Sequence, residues 1–304
     1  MDISSPINTQ NLFAARDSVV VITGGATGIG LAMASICVQT GARKVYILGR
    51  RQNALAEAAK ALNQSSQVVV PIVCDVVSSE SVSSAADAIM KDSGHIDVLI
   101  NNAGRGDVPQ NISSATTIEE TSDILARASE AASDVLRTNT ASVINVSAAF
   151  LPLLHQGNVK RGWPDHKLPL DDPTRMNAPA SGDLRSSQII TVSSIASFQR
   201  TGITGIAYAA SKAGATHIGK ILATMLVPWN IRSNVIAPGL YPSEITNVLT
   251  TDQINYVSMP AGRAGNMADV AGALLYLIGN AGAYLNGSVL LTDGGRLTID
   301  PASY

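Results

Sequence analysis

Cysteine is nearly absent: Cys37 and Cys74 are the only two among 304 residues. Two thiols cannot build a disulfide framework or a four-thiolate zinc site. Both flank apolar runs, so they read as buried free thiols in a reducing compartment. Excess charge of one sign is also lacking. The 21 basic and 23 acidic residues leave a formal charge of −2, which excludes a nucleic-acid-binding domain driven by bulk charge. No apolar run reaches the roughly 18–20 residues that cross a bilayer. Residues 1–10 are polar, without the basic and apolar regions of a secretory signal. The expectation is a soluble cytoplasmic protein with neither membrane nor nucleic-acid partners. The four histidines (His95, His155, His166 and His217) show no metal-ligand spacing, and no metal is expected. Scattered methionines and two tryptophans, Trp163 and Trp229, mark no cofactor box.

What is present is apolar material in a regular order. Hydrophobic residues make up 46% and charged residues 14%, too apolar for a disordered chain. No fixed-period repeat or low-complexity tract occurs. Short β-branched runs alternate instead with helical patterns. Strands are expected at 18–23 (SVVVIT), 44–48, 67–73, 96–101, 188–192, 231–236 and 288–291. Helices are expected at about 28–40, 52–62 and 81–91 between the first four of them. Near-continuous apolar strands mark burial on both faces, as in a parallel sheet covered by helices. The fold expected is α/β: a single doubly wound Rossmann-type domain spanning 1–304, with about seven parallel strands. Residues 1–17 read as an N-terminal extension. Residues 105–118 and 156–187, polar or Pro- and Gly-bearing, read as surface insertions.

The turn 23–30 (TGGATGIG) joins the first strand to the first helix. Its glycines allow tight turning and close approach of backbone to a pyrophosphate, and the helix that begins there offers free N–H groups to an anion. The literal G-x-G-x-x-G pattern is absent, since Met33 follows where a third glycine would stand. About twenty residues beyond the loop, a carboxylate would hold the ribose 2′-hydroxyl of NAD. Arg50 and Arg51 stand there instead. Two guanidiniums suit a 2′-phosphate, so NADP(H) is the cofactor expected; the alternative is a solvated helix face. Asp75 follows the third strand, where an acid could accept from an adenine amino group or cap the next helix. Asn101, Asn102, Ala103 and Gly104 end the fourth strand, with small and amide side chains that permit close packing against a cofactor.

Tyr208 and Lys212 stand four apart, on one face of a helix. An ammonium alongside favours the phenolate. Lowering a phenol by three units needs about 4 kcal/mol of differential stabilisation, which a lysine and a bound nicotinamide could supply in a water-poor cleft. The phenol could then give a proton to a carbonyl oxygen as hydride arrives. Ser193 and Ser194 end the fifth strand, where a hydroxyl could meet the substrate oxygen. Asn139 sits mid-helix, unfavourable by propensity; it reads as a helix-bend amide or as the holder of a water that relays protons to Lys212.

Together these motifs resemble the short-chain dehydrogenase/reductase family. The resemblance covers about 13–295. It rests on TGGATGIG, NNAG at 101–104, Asn139, the serine pair, YAASK at 208–212, Pro238–Gly239, and Asp293–Gly294–Gly295. The stretch 234–246 (NVIAPGLYPSEIT) most resembles fungal and bacterial reductases related to 3-oxoacyl carrier-protein reductases. The resemblance implies Tyr208 as general acid/base, Lys212 as its pKa-lowering neighbour and nicotinamide-ribose ligand, Ser194 as carbonyl orienter, and Asn139 as the fourth member. It implies cofactor contacts at Thr23, Gly24, Thr27, Gly28, Ile29, Gly30, Arg50, Arg51, Asp75, Val76, Asn102, Ala103, Gly104, Arg137, Pro238, Gly239, Ser243 and Thr246. It further implies a small carbonyl or alcohol substrate and a homodimer or homotetramer built through long helices near 119–154 and 206–228. Tyr241 and Phe198 are candidates to touch substrate. Two departures stand out. Ser194 precedes Tyr208 by fourteen residues, one more than is usual in the family, and 156–187 has no counterpart in shorter members, which leaves the cleft shape open. The activity implied is interconversion of a carbonyl and a secondary alcohol. The alternatives are a non-redox epimerase, dehydratase or cyclase on the same scaffold, and a non-catalytic NADP sensor.

Overall fold

The computed structural model describes residues 12–64, 67–107, 115–173, 179, 183–201, 204–243 and 259–304. Seven strands carry the fold: β1 (Val19–Thr23), β2 (Lys44–Gly49), β3 (Val69–Val73), β4 (Val98–Asn101), β5 (Gln188–Val192), β6 (Arg232–Pro238) and β7 (Val289–Thr292). They form one parallel sheet in the order β3-β2-β1-β4-β5-β6-β7. The order reverses direction between β1 and β4, which opens a crevice at their carboxyl ends.

The apolar runs make these strands, and alternation divides them between two cores. Val20 and Ile22 of β1 pack with Met33, Ile100 and Leu274 on one face. Val19 and Val21 pack with Tyr46, Phe150 and Leu153 on the other. Each such fully buried side chain stabilises by roughly 1.5–3 kcal/mol relative to exposure. Burial on both faces holds for β1, β4, β5 and β6 but fails at the rims: in β3 only Val69 is buried and the residues after it alternate between half-buried and exposed, and β7 is half-buried throughout. A sheet edge has neighbours on one side only. Pro71 is tolerated in β3 for the same reason, since an edge strand can lack one donor.

Seven α-helices flank the sheet among the described residues: α1 (Gly28–Gln39), α2 (Gln52–Leu62), α3 (Ser79–Ser93), α4 (Ile118–Leu136), α5 (Ser142–Arg161), α6 (Ile206–Met225) and α7 (Met267–Ile278). A π-helical turn, Arg137–Ala141, splices α4 to α5. Ser78 caps α3 by accepting the Ser81 N–H, and Asn266 and Asp269 close a capping box on α7. No described helix is long and apolar enough to cross a membrane. Both cysteines are buried and free.

The first six residues of 156–187 continue α5, and among the described residues that follow, Asp183 to Ser187 brace the amino edge of the sheet. Asn158 Oδ1 accepts the Ser187 N–H at 2.7 Å. Arg161 donates to Asp97 Oδ1 at 2.8 Å and pairs with Asp183, which also holds Arg185. Asp97 Oδ2 in turn accepts the Val19 N–H, the first of β1, at 2.7 Å. At the end of 105–118, Thr117 caps α4, which begins at Ile118. Nor does the end of the N-terminal extension trail free: Ala15 is fully buried and its N–H reaches Thr40 Oγ1.

Candidate active site

A cleft of about 490 Å³ opens at the carboxyl edge, over β1, β2, β3 and β4 and the start of α6. The glycine turn forms its floor. Gly24 and Gly28 adopt φ of 65° and 53°, left-handed values that glycine reaches without strain. A Cβ on Gly30 would collide with the Gly24 carbonyl and stand 2.5 Å from Asn102 Nδ2. The side chain of Thr27, the N-cap of α1, makes no capping hydrogen bond, and the first turn carries no acid. α3, α4 and α7 are capped by side chains, whereas α1 presents its first N–H groups to the cleft. That arrangement fits a pyrophosphate. Arg50 and Arg51, both exposed, stand on the wall at the end of β2, with Asp75 and Val76 beyond β3. The residues present therefore fit a phosphorylated dinucleotide.

Most of the expected cofactor contacts line this cleft: Gly24, Thr27, Gly28, Ile29, Gly30, Arg50, Arg51, Asp75, Val76, Asn102, Ala103, Gly104, Tyr208, Lys212 and Ser243. Several do not. Thr23 is buried beneath the turn, where its Oγ1 accepts the N–H groups of Asn102 and Ala103 at 2.9 and 3.0 Å and ties β1 to β4. Arg137 is exposed outside the cleft, and Thr138 lines it instead. Pro238 and Gly239 sit against β7: the Gly239 N–H bonds to Thr292 O, and a Cβ there would stand 2.7 Å from Asp293 Cα. Thr246 lies outside the described residues. Asp75 does not cap α3, a role Ser78 takes; its Oδ1 accepts the Val77 N–H. Tyr241 is buried, packs against Gly265 and hydrogen-bonds Thr292, so it faces away from the cleft. Phe198 stacks edge-on against Tyr304 rather than lining the cleft.

At the inner end of the cleft stand Tyr208 and Lys212, with Ser194 against the phenol and Asn139 behind. Lys212 Nζ lies 5.8 Å from the centroid of the Tyr208 ring and donates to Val192 O at 3.0 Å. Burial pulls the lysine down to about 8. Burial also pushes the Tyr208 phenol above its ordinary value, and a hydrogen bond with Ser194 opposes that push. The protein's own groups therefore hold the phenol above its ordinary value, because loss of solvation outweighs the Ser194 hydrogen bond; the lowering expected from the sequence called for a bound nicotinamide as well as Lys212. The two serines divide the work. Ser193 donates to Lys212 O at 2.9 Å and meets Thr216 Oγ1 at 2.6 Å, which fastens α6 to β5; Ser194 faces the phenol.

Asn139 is buried in the π-turn behind the cleft. Its Oδ1 accepts the Arg105 N–H at 2.8 Å, and its Nδ2 donates to Arg105 O and to Ser211 Oγ at 2.9 and 3.0 Å. Gly104 passes between it and the lysine: a Cβ there would stand 3.2 Å from Asn139 Oδ1 and 3.4 Å from Lys212 Nζ. Sequence reasoning missed Thr138, Val192 and Arg105 as cleft residues. None belongs to a motif, and only the packing of α6 on β5 and on the π-turn brings them in.

Comparison with known proteins agrees with this geometry. The chain matches the family described as short chain dehydrogenase over residues 18–162, and that described as Enoyl-(Acyl carrier protein) reductase over 177–296. It is 36% identical to the short-chain dehydrogenase/reductase PhomF of Diaporthe leptostromiformis over 99% of both chains. It is 38% identical to the short-chain dehydrogenase/reductase VdtF of Byssochlamys spectabilis over 98% of both. Among solved structures it resembles the Pseudomonas aeruginosa RhlG/NADP active-site complex, with a TM-score of 0.73 at 28% identity, covering 94% of this chain and 98% of that one. Fold, sequence relatives and motif order agree, and the chain belongs to the short-chain dehydrogenase/reductase family of oxidoreductases.

Proposed function

We propose that this protein is an NADP(H)-dependent oxidoreductase that interconverts a carbonyl and a secondary alcohol on a small molecule. The observation that carries the proposal is the Tyr208–Lys212 pair, the lysine buried and the half-buried tyrosine in contact with Ser194, where the glycine-turn cleft ends. A bound reduced nicotinamide would supply the hydride to the carbonyl carbon. Ser194 then holds the carbonyl oxygen by a hydrogen bond, and Tyr208 gives that oxygen its proton, so that one hydride and one proton make the alcohol. Lys212, cationic below pH about 8, stabilises the phenolate left behind. Asn139 spends its amide on Arg105 and Ser211, and so holds the loop after β4 against α6.

The arginine pair at the end of β2 supports NADP(H) over NAD(H), because guanidiniums grip a 2′-phosphate bidentately. Exposed apolar side chains on α4 (Ile118, Leu125, Leu136) and α6 (Ile221, Met225) support assembly as a homodimer or homotetramer through these helices. The test of the chemistry is Tyr208→Phe. It should lower turnover of a ketone panel by about 10²–10⁴-fold while NADPH still binds. Retained turnover would assign the proton to another group. Product formation at constant reduced-nicotinamide absorbance would instead mean a reaction without net redox.

A further inference from the structure

Beyond β7 the chain doubles back over the carboxyl edge. Asp293 starts the turn: its Oδ1 accepts the Gly295 N–H at 3.0 Å and its Oδ2 the Leu297 N–H at 2.8 Å. Residues 300–304 then run antiparallel to the loop that follows Ser194. The Arg200 N–H donates to Pro301 O and the Ser303 N–H to Phe198 O, each at 2.8 Å, on either side of a Gln199–Ala302 bridge. Phe198 and Tyr304 stack edge-to-face at 4.9 Å. Asp300 locks the crossing with one oxygen, which takes Gln199 Nε2 at 2.7 Å and Arg296 Nε at 2.6 Å.

The same loop is bonded back to Ser194. The Ser197 Oγ and N–H donate to Ser194 O at 2.6 and 3.1 Å, and the N–H groups of Phe198 and Gln199 donate to Ile195 O. An unbroken set of hydrogen bonds thus runs from Asp300 to Ser194. Gln199 adds a second sign of constraint. With Nε2 committed to Asp300, its Oε1 is buried and finds no partner among the described residues. A buried orphan acceptor is unfavourable, so local stability does not account for this arrangement. Thirteen residues separate Ser194 from Tyr208, too many for chain continuity to fix one against the other.

We infer that residues 300–304 form a strap that sets Ser194 against Tyr208, with Asp300 as its positioning residue. The inference rests on the roles proposed above for those two side chains. Asp300→Ala should release the loop, and Asp300→Asn, which keeps an acceptor oxygen for both donors, should restore it. Amide hydrogen exchange and kinetics are read together. In Asp300→Ala, exchange should quicken at residues 196–200 and 302–303 while β1 and α1 stay protected. Ketone kcat should fall roughly ten- to a hundredfold with NADPH Kd within twofold, and Asp300→Asn should recover most of both. Unchanged exchange at 196–200 in Asp300→Ala overturns the strap. So does full kcat in a variant whose loop is released, or a loss of NADPH affinity parallel to the loss of kcat. If exchange quickens as expected but Tyr208→Phe retains turnover, the strap stands and the catalytic reading of Tyr208 fails.

Discussion

The side-chain amide of Asn102 donates to the main-chain oxygen of Thr23 at 2.9 Å and leans over Gly24 O at 3.2 Å. A residue expected as a cofactor contact thus first clamps the glycine turn. Gly30 lies directly under that clamp.

Replacing Gly30 by alanine should therefore do two things at once. The added methyl group meets backbone and the Asn102 amide, neither of which can swing aside, so the turn must open. A loss of about 1–3 kcal/mol in unfolding free energy is expected for such overpacking, together with at least tenfold weaker NADPH binding. Gly272→Ala is the control. It lies exposed in α7 with nothing within 4 Å of a built Cβ, so it should stabilise by about 0.5–1 kcal/mol and leave binding untouched. Urea denaturation and nicotinamide fluorescence titration check both.

The contrast between Gly30 and Asn102 shows what was legible in the sequence. The turn, the strands and the order of motifs could be read because buried parallel strands are continuous apolar runs and a phosphate loop needs glycine at fixed places. What the side chains of Asn102 and Thr23 hold was not legible, because β1 and β4 meet only in the sheet, 79 residues apart. The same holds for 156–187: its polar, proline-bearing composition marks a surface but does not say which edge of the sheet it covers, and pairs such as Arg161–Asp97 decide that. The choice of Ser194 over Ser193 rested on counting; the structure separates them by direction, one hydroxyl toward Thr216 and one toward Tyr208.

Carbonyl reduction should lose rate as pH rises through about 8. Lys212 is a base whose value burial depresses to about 8, so its cation is complete below pH 7 and largely gone above pH 9. The Tyr208 phenol, raised by burial, remains protonated across that window. The alkaline limb that ends the plateau in kcat/KM thus belongs to the lysine. A profile flat to pH 10 would remove Lys212 from the reaction. Stability moves the opposite way: the unfolded chain binds more protons at this group between about 8 and its ordinary value of 10.5, so its contribution to stability rises with pH over that interval.

Arg50→Asp should change the preferred cofactor. The aspartate removes a guanidinium from the wall at the end of β2 and places there a group that accepts from a ribose 2′-hydroxyl. Affinity for NADPH should fall by about 1.5–3 kcal/mol, the range for a hydrogen bond to a charged group, while affinity for NADH rises. Paired Kd measurements with the two reduced cofactors decide it, and an unchanged ratio would relegate Arg50 to the solvated helix face.

Asn139 permits a test of charge separate from shape. Asn139→Asp keeps an oxygen for the Arg105 N–H but loses both donations from Nδ2, and it sets a carboxylate across Gly104 from the Lys212 ammonium. An opposite charge at that range favours the cation. The fall in reduction rate should then move to higher pH than in the wild type, even as kcat drops because the loop after β4 is held less firmly to α6. Asn139→Ala loses all three bonds without adding charge, so it should lower kcat and leave the midpoint near pH 8. If both variants keep the wild-type midpoint, Lys212 does not set the pH dependence. If both shift it equally, the cause is the loosened loop and not the charge.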